Sequence, residues 1–260
     1  MDENTATPDG EAQAIAPATR GERIASLDFI RGVAVLGILA ANIVAFGQPW
    51  SAYAWPDAFL SGHDATADWL WVAQFVLIDG KMRGLFTLLF GAGMALFMEK
   101  AWERGASQAL LVRRLVFLLL FGLVHYFLIW RGDILVLYSV AGFAVMLFLR
   151  WSGPRLLTLG LLGYLVGALV YALAIGSAYI IADTAFGQAE GMEEARGSVA
   201  EGKQTAIADD QAEIPIMTEG SYADFVGHNF AEHAGDPLNA IFLMIFETVP
   251  LMLIGMAFYR

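Results

Sequence analysis

Six apolar runs set the terms on which this chain can fold. They cover residues 27–46, 69–98, 111–130, 134–149, 156–182 and 239–258. A helix needs roughly 20 consecutive apolar residues to cross a bilayer core, with 17–25 typical, and most of these runs fit. The second is too long and is interrupted by "DGKMRG" at 79–84, where glycines beside charges predict a break. Residues 69–79 then read as a partly immersed interfacial helix and 82–98 as the true span. The 134–149 run is short and is expected to draw on its flanks. The expected fold is all-α: a polytopic transmembrane helix bundle of about six spans, one of them broken or interfacial.

Composition agrees. The chain is 58% hydrophobic and 16% charged, where soluble domains carry about 25% charged residues. It has no cysteine, which excludes disulfides, thiol catalysis and cysteine metal sites. The net charge of −11 comes mainly from acids in the first 22 residues and in the stretch 183–236, and argues against nucleic-acid partners. Residues 1–22 read as a disordered cytoplasmic tail. The tail lacks the positive n-region of a cleavable signal peptide, so the first span is expected to stay as an anchor. Residues 23–260 are expected to form one transmembrane domain.

Lys and Arg are biased to one side. With the N-terminus cytoplasmic, ten of them, including Arg31, Lys100, Arg113 and Arg150, fall on the inner face. Only Arg131, Arg196 and Lys203 fall in outer loops, with Lys81 and Arg83 at the break, so the positive-inside rule orients the chain N-in. Residues 183–238 are then an extracytoplasmic loop. In its second half, "SYADFVGHNFAEH" opens with a capping-box-like Ser-x-x-Asp and sets Tyr222, Phe225, Val226 and Phe230 near one helical face. A short helix lying over the membrane-embedded part is expected there.

Ionisable groups inside spans are costly and mark either helix pairing or a cavity. His125, in "FGLVHYFLIWRGDIL", is either a neutral histidine bonded to a neighbouring helix or a proton acceptor or acyl carrier. Asp133, eight residues on, shares its helical face without direct contact. The break at Gly132 could fold Asp133 over the mouth of a cavity, and "GDIL" also suits it as an N-cap. Lys81 and Arg83 at the break either snorkel or line a cavity. Asp28 and Arg31, spaced i, i+3, form an interface anchor, or Arg31 meets a phosphate-bearing cytosolic donor. Asn42 sits deep in the first span as helix glue. Glu247 lies mid-span without an obvious partner. His228 and His233 flank Glu232 at i, i+5 and lack an evident third ligand, so no metal site is expected. Gly91 and Gly93 suggest close helix packing rather than a phosphate loop.

Three stretches resemble the YeiB-like family of bacterial inner-membrane proteins: "LDFIRGVAVLGILAANIVAFGQP" at 27–49, "GKMRGLFTLLFGAG" at 80–93 and "RRLVFLLLFGLVHYFLIWRGDILVLYSVAGF" at 113–143. The closing "PLMLIGMAFYR" at 250–260 is similar to the family's mid-chain helix, beyond which its members continue, so the chain reads as truncated. The family's motifs fall on Asp28, Arg31, Asn42, Lys81, His125, Asp133 and Tyr138. The family looks distantly similar to transmembrane acyltransferases such as heparan-alpha-glucosaminide N-acetyltransferase. That enzyme's histidine stands in a His-Ala-Ser-Trp context after its first span, whereas this loop has "SGHDATADW" with His63 at another spacing.

The resemblance implies a membrane acyltransferase of the bacterial inner membrane, with acyl-CoA as co-substrate and no bound cofactor. His125 would be base or acyl acceptor and Asp133 its orienter. Arg31, Asn42, Lys81, Tyr138 and Glu247 would bind substrate, and Asp28 would be structural. A small-solute transporter and a non-catalytic scaffold are the alternatives. Expected partners are the lipid bilayer and a small-molecule substrate, and a homo-oligomer is left open.

Overall fold

A computed structural model of the chain describes residues 25–62 and 64–260. Nine α-helices carry the described fold, and no strand occurs among the described residues. They are α1 (Ala25–Gly47), α2 (Ala65–Leu77), α3 (Lys81–Glu103), α4 (Ala109–Leu128), α5 (Leu135–Val145), α6 (Gly153–Asp183), α7 (Glu193–Thr218), α8 (Tyr222–Glu232) and α9 (Asp236–Tyr259). The expected tail at 1–22 and His63 lie outside the described residues.

Five stretches are long and apolar enough to cross a membrane: Ser26–Gly47, Ala65–Glu103, Ala109–Leu128, Gly153–Asp183 and Asp236–Tyr259. Their outward faces stay apolar and uncovered, with Leu36 and Ile43 on α1, Phe117 and Phe121 on α4, and Leu165 and Leu173 on α6. An exposed apolar surface of this extent belongs against lipid. This is a membrane protein.

The fourth run, 134–149, departs from expectation. Its helix, continued by a 3-10 turn at Met146–Phe148, covers only Leu135–Phe148. At 1.5 Å per residue that is about 21 Å, short of a ~30 Å hydrocarbon core. Its flanks do not lengthen it, because Asp133 is drawn into a side-chain bond on one side and Gly153 starts α6 on the other.

The break in the second run is where the glycine predicts it. Gly80 adopts φ +67°, a left-handed conformation that costs glycine little, and turns the chain between α2 and α3. Asp64 caps the start of α2 by accepting the Ala67 N–H at 2.9 Å.

Helix α9 is central and packs on α3, α5 and α6, while α4 packs on α5 and α1 on α3. The core between them holds Met94, Met98, Leu111, Leu115, Tyr138, Val145, Met252 and Met256. Glycines permit the closest approaches. A Cβ on Gly91 would lie 2.1 Å from the Met252 carbonyl oxygen, and one on Gly255 would lie 2.0 Å from that of Leu88.

The segment 183–238 is mostly helical. Alanine and glutamate are the commonest residues of α7 and favour a helix despite Gly197, Gly202 and Pro215. The capping box expected for α8 is present, with the Ser221 N–H donating to Asp224 at 2.9 Å and the Asp224 N–H to Ser221 Oγ at 3.3 Å. Helix α8 lies over the end of α4: Phe230 stacks on Phe127 with ring centroids 4.3 Å apart, and Asn229 donates to the Phe127 carbonyl at 3.2 Å. Tyr222 and Phe230 remain exposed, so only part of the expected apolar face is covered.

Candidate functional site

The last turn of α4 presents His125, and the chain then folds back through Trp130, Arg131 and Gly132 before α5 begins. A Cβ on Gly132 would meet the Trp130 indole at 2.1 Å, so the glycine lets the loop close tightly under that ring. The closure brings Asp133 Oδ1 to 3.1 Å from His125 Nδ1. A straight helix would have kept them two turns apart, so the expectation that they do not touch is corrected by the fold-back. The other oxygen, Oδ2, accepts the Val136 N–H at 2.8 Å. Asp133 therefore orients the imidazole and caps α5 together. Its side chain is 1% exposed against 34% for His125. Burial raises the Asp133 carboxyl above the ordinary aspartate range, opposed by the Val136 N–H and by His125.

Beside this pair lies a cavity of about 230 Å³ walled by Asn42, Tyr53, Asp79, Arg83, Arg131 and Asp133 among others. Trp50, Arg131, Asp133, Ala240 and Met244 also belong to the wall of a larger cavity of about 620 Å³. That second cavity is roofed from α7 by Ala206, Asp209, Asp210 and Glu213. His125 itself lines neither cavity. It reaches them only through Asp133.

Glu247 has a partner after all: Arg83 Nη2 donates to its Oε2 at 3.0 Å, bridging α3 and α9. Arg83 Nη1 also lies 3.4 Å from Met244 Sδ, while its buried Nε makes no hydrogen bond among the described residues. Both side chains keep partial exposure, so the pair falls between a surface ion pair and a fully desolvated one. Arg83→Met is expected to destabilise the protein by about 2 kcal/mol. Adding Glu247→Gln should recover part of that loss, as thermal unfolding in detergent will show. A double variant no more stable than the single one would remove the pair's role.

A second polar cluster sits on the α4–α5 loop, α7, α8 and the start of α9. Arg131 is bidentate to Glu213, at 2.6 Å and 3.3 Å. His233 places Nε2 at 2.8 Å from Glu213 Oε1 and Nδ1 at 2.9 Å from Asp236 Oδ2. Tyr126 donates its hydroxyl to the His233 carbonyl at 3.0 Å.

Relatives of known sequence decide the family. No family model matches the chain, and no solved structure does. The uncharacterized protein YxaH of Bacillus subtilis is 36% identical over 194 residues, 72% of this chain and 45% of that protein. The uncharacterized protein YeiB of Escherichia coli is 39% identical over 151 residues, 56% of this chain and 37% of that protein. The chain belongs to the YeiB-like family. An uncharacterized 39.9 kDa protein of Bacillus acidopullulyticus is 31% identical over 135 residues, 52% of this chain and 36% of its own length. This YeiB-like chain spans less than half the length of each of these relatives.

Of the residues the YeiB-like motifs single out, the fold gathers His125, Asp133 and Asn42 at one end of the bundle; Glu247, which lies outside those motifs, is joined to them through Arg83. Lys81 and Tyr138 stand apart from the cavity walls as substrate-binding residues. Lys81 is the exposed first residue of α3, and a helix turns by about 200° over two residues, so Arg83 rather than Lys81 faces α9. Tyr138 is fully buried, with its hydroxyl 2.7 Å from Thr87 Oγ1 and donating at 3.3 Å to the Arg83 carbonyl. Arg31 pairs with Asp28 at 3.0 Å, eleven residues and about 16 Å of helix from Asn42. Sequence reasoning missed Arg83 as the partner of Glu247, and Glu213 altogether. The helical composition of 193–218 was the available signal for Glu213, since it turns an acidic loop into a rigid roof.

Proposed function

We propose that the chain carries the catalytic part of a transmembrane acyltransferase of the bacterial inner membrane. Its N-terminus is cytoplasmic, and it moves an acyl group from a cytosolic acyl-CoA-type donor to an acceptor on the far side. The observation that supports this reading is the contact between His125 and Asp133, in which a buried carboxylate holds Nδ1 and leaves Nε2 as the acting nitrogen. An imidazole oriented by a carboxylate is the arrangement that general-base acyl transfer requires.

In this mechanism an acceptor hydroxyl or amine gives its proton to His125 Nε2 as its heteroatom bonds to the acyl carbon. The carbon–sulfur bond breaks, and the imidazolium returns the proton to the departing thiolate. Arg31, at the opposite end of α1 from Asn42, would hold the anionic donor. Arg83 and Asn42 line the smaller cavity beside Asp133, and an acceptor held there must extend past its wall to reach the part-exposed imidazole of His125.

A second reading, a small-solute carrier, draws on the ion pair between Arg83 and Glu247, because intramembrane charges beside a cavity also serve solute pathways. Labelled acetyl-CoA presented to detergent-solubilised protein, with a full-length relative alongside, separates the two. Label passing to an added amine or hydroxyl acceptor supports acyl transfer. Neither binding nor turnover in either length would overturn it, and solute flux into vesicles without CoA would favour the carrier.

A further inference from the structure

The cluster under α7 brings Glu213 Oε1, His233 Nε2 and an unbonded His228 Nε2 together. In the neutral tautomer whose Nδ1 donates to Asp236, His233 Nε2 presents a lone pair 2.8 Å from Glu213 Oε1, itself an acceptor. His228 Nε2 lies 3.6 Å from the same oxygen, is shut off from solvent, and has no hydrogen-bond partner among the described residues. Two acceptors facing each other and a third nitrogen without a bond require positive charge among them. Arg131 supplies some, through Nη1 close to both His233 Nε2 and Glu213 Oε1, but it leaves His228 unused.

We propose that Glu213 Oε1, His228 Nε2 and His233 Nε2 are the protein ligands of a zinc ion. Their ligand atoms lie within 4.8 Å of one another. A tetrahedral ion bound at 2.0–2.2 Å wants its ligands about 3.4 Å apart, so side-chain adjustments of about 1 Å suffice. Two imidazoles and one carboxylate are a donor set zinc favours, with the fourth position left to water.

The surroundings fit a dication. Asp236 on His233 Nδ1 is the carboxylate partner that fixes the tautomer of a metal-bound histidine. Arg131 Nη2 holds Glu213 Oε2 at 2.6 Å, which orients the carboxylate, while Arg131 Nη1, in contact with Oε1 and His233 Nε2, must withdraw for the ion to enter. Among the described residues, the adjoining cavity wall carries Asp209, Asp210, Glu213 and Asp236 with Arg131 as its only Lys or Arg, so the local field is negative. The ligands come from α7, from α8 and from the residue after α8, so the ion would fasten the roof over the larger cavity. This inference is independent of the acyltransferase reading.

The test is zinc binding by the purified chain in detergent after chelator stripping, read by metal analysis and by competition with a chromophoric chelator. The expected result is about one zinc per chain. Affinity should fall by at least tenfold in His228→Gln, His233→Gln and Glu213→Gln, and be retained in His125→Ala. Asp236→Asn should weaken it about 10–100-fold. Cobalt substitution should give the visible absorption of a tetrahedral ion that His228→Gln abolishes. That variant loses no hydrogen bond, so helicity and monodispersity should match the parent chain and the result does not depend on a folding defect. Zinc held equally by parent and variants, or no zinc above the stripped level, overturns the proposal.

Discussion

Asparagine in place of Asp133 is expected to lower acyl transfer by about 10²–10⁴-fold while leaving donor affinity nearly unchanged. The reasoning starts from the two jobs of the carboxylate. Oδ2 accepts the Val136 N–H at 2.8 Å, and an asparagine oxygen can keep that cap. Oδ1 faces His125 Nδ1 at 3.1 Å, where an amide no longer fixes the tautomer or balances a developing imidazolium. The fold should therefore survive while the base is lost. His125→Ala should cost about as much, and the double variant little more than either alone, because the residues act as a unit. Turnover and KM with labelled acetyl-CoA decide this. A wild-type rate in Asp133→Asn, or losses that multiply, would remove the pair from the mechanism.

The same residue leaves a mark on stability. Its folded carboxyl is raised by burial, so between the ordinary aspartate range and the raised value the folded chain holds a proton that the unfolded chain has lost. That contribution is full below the unfolded value and fades as pH rises through the folded one. The Asp133→Asn variant has no such proton to lose, so its stability should be flatter across that interval when unfolding is followed against pH.

Why the sequence disclosed some of this and concealed the rest has a physical answer. Spans α1, α3, α4, α6 and α9 were legible because lipid demands a continuous apolar length, which is a local property. The break at Gly80 and the capping box at Ser221 were legible for the same reason, since each is written in adjacent residues. The contact between His125 and Asp133 was half legible: both residues stood out, but the fold-back depends on Gly132 lying under Trp130. The partners that stayed hidden are distant in sequence. Arg83 meets Glu247 across 164 residues, and Arg131 meets Glu213 across 82. Only the packing of α9 against α3 and of α7 over the α4–α5 loop creates those pairs, and no local pattern encodes them.

The packing of α9 on α3 yields the other large expected effect. Gly91 and Gly255 interlock: each leaves room for a carbonyl of the opposite helix, Met252 for one and Leu88 for the other. A new Cβ at either position would stand 2.0–2.1 Å from that oxygen, where a carbon–oxygen contact needs about 3.3 Å. Backbone cannot rotate away as a side chain can, so the helices must part by roughly 1 Å. Met94, Met98, Met252 and Met256 would then lose packing together. Gly91→Ala and Gly255→Ala are each expected to destabilise by about 3 kcal/mol or more, at the upper end of overpacking costs. The pair should be strongly sub-additive, because one parting of the helices relieves both clashes. A coupling of about 1–3 kcal/mol is expected between them. Reversible unfolding of the four proteins in detergent measures it. Full additivity would mean that each glycine is accommodated locally and that α3 and α9 do not move as rigid bodies.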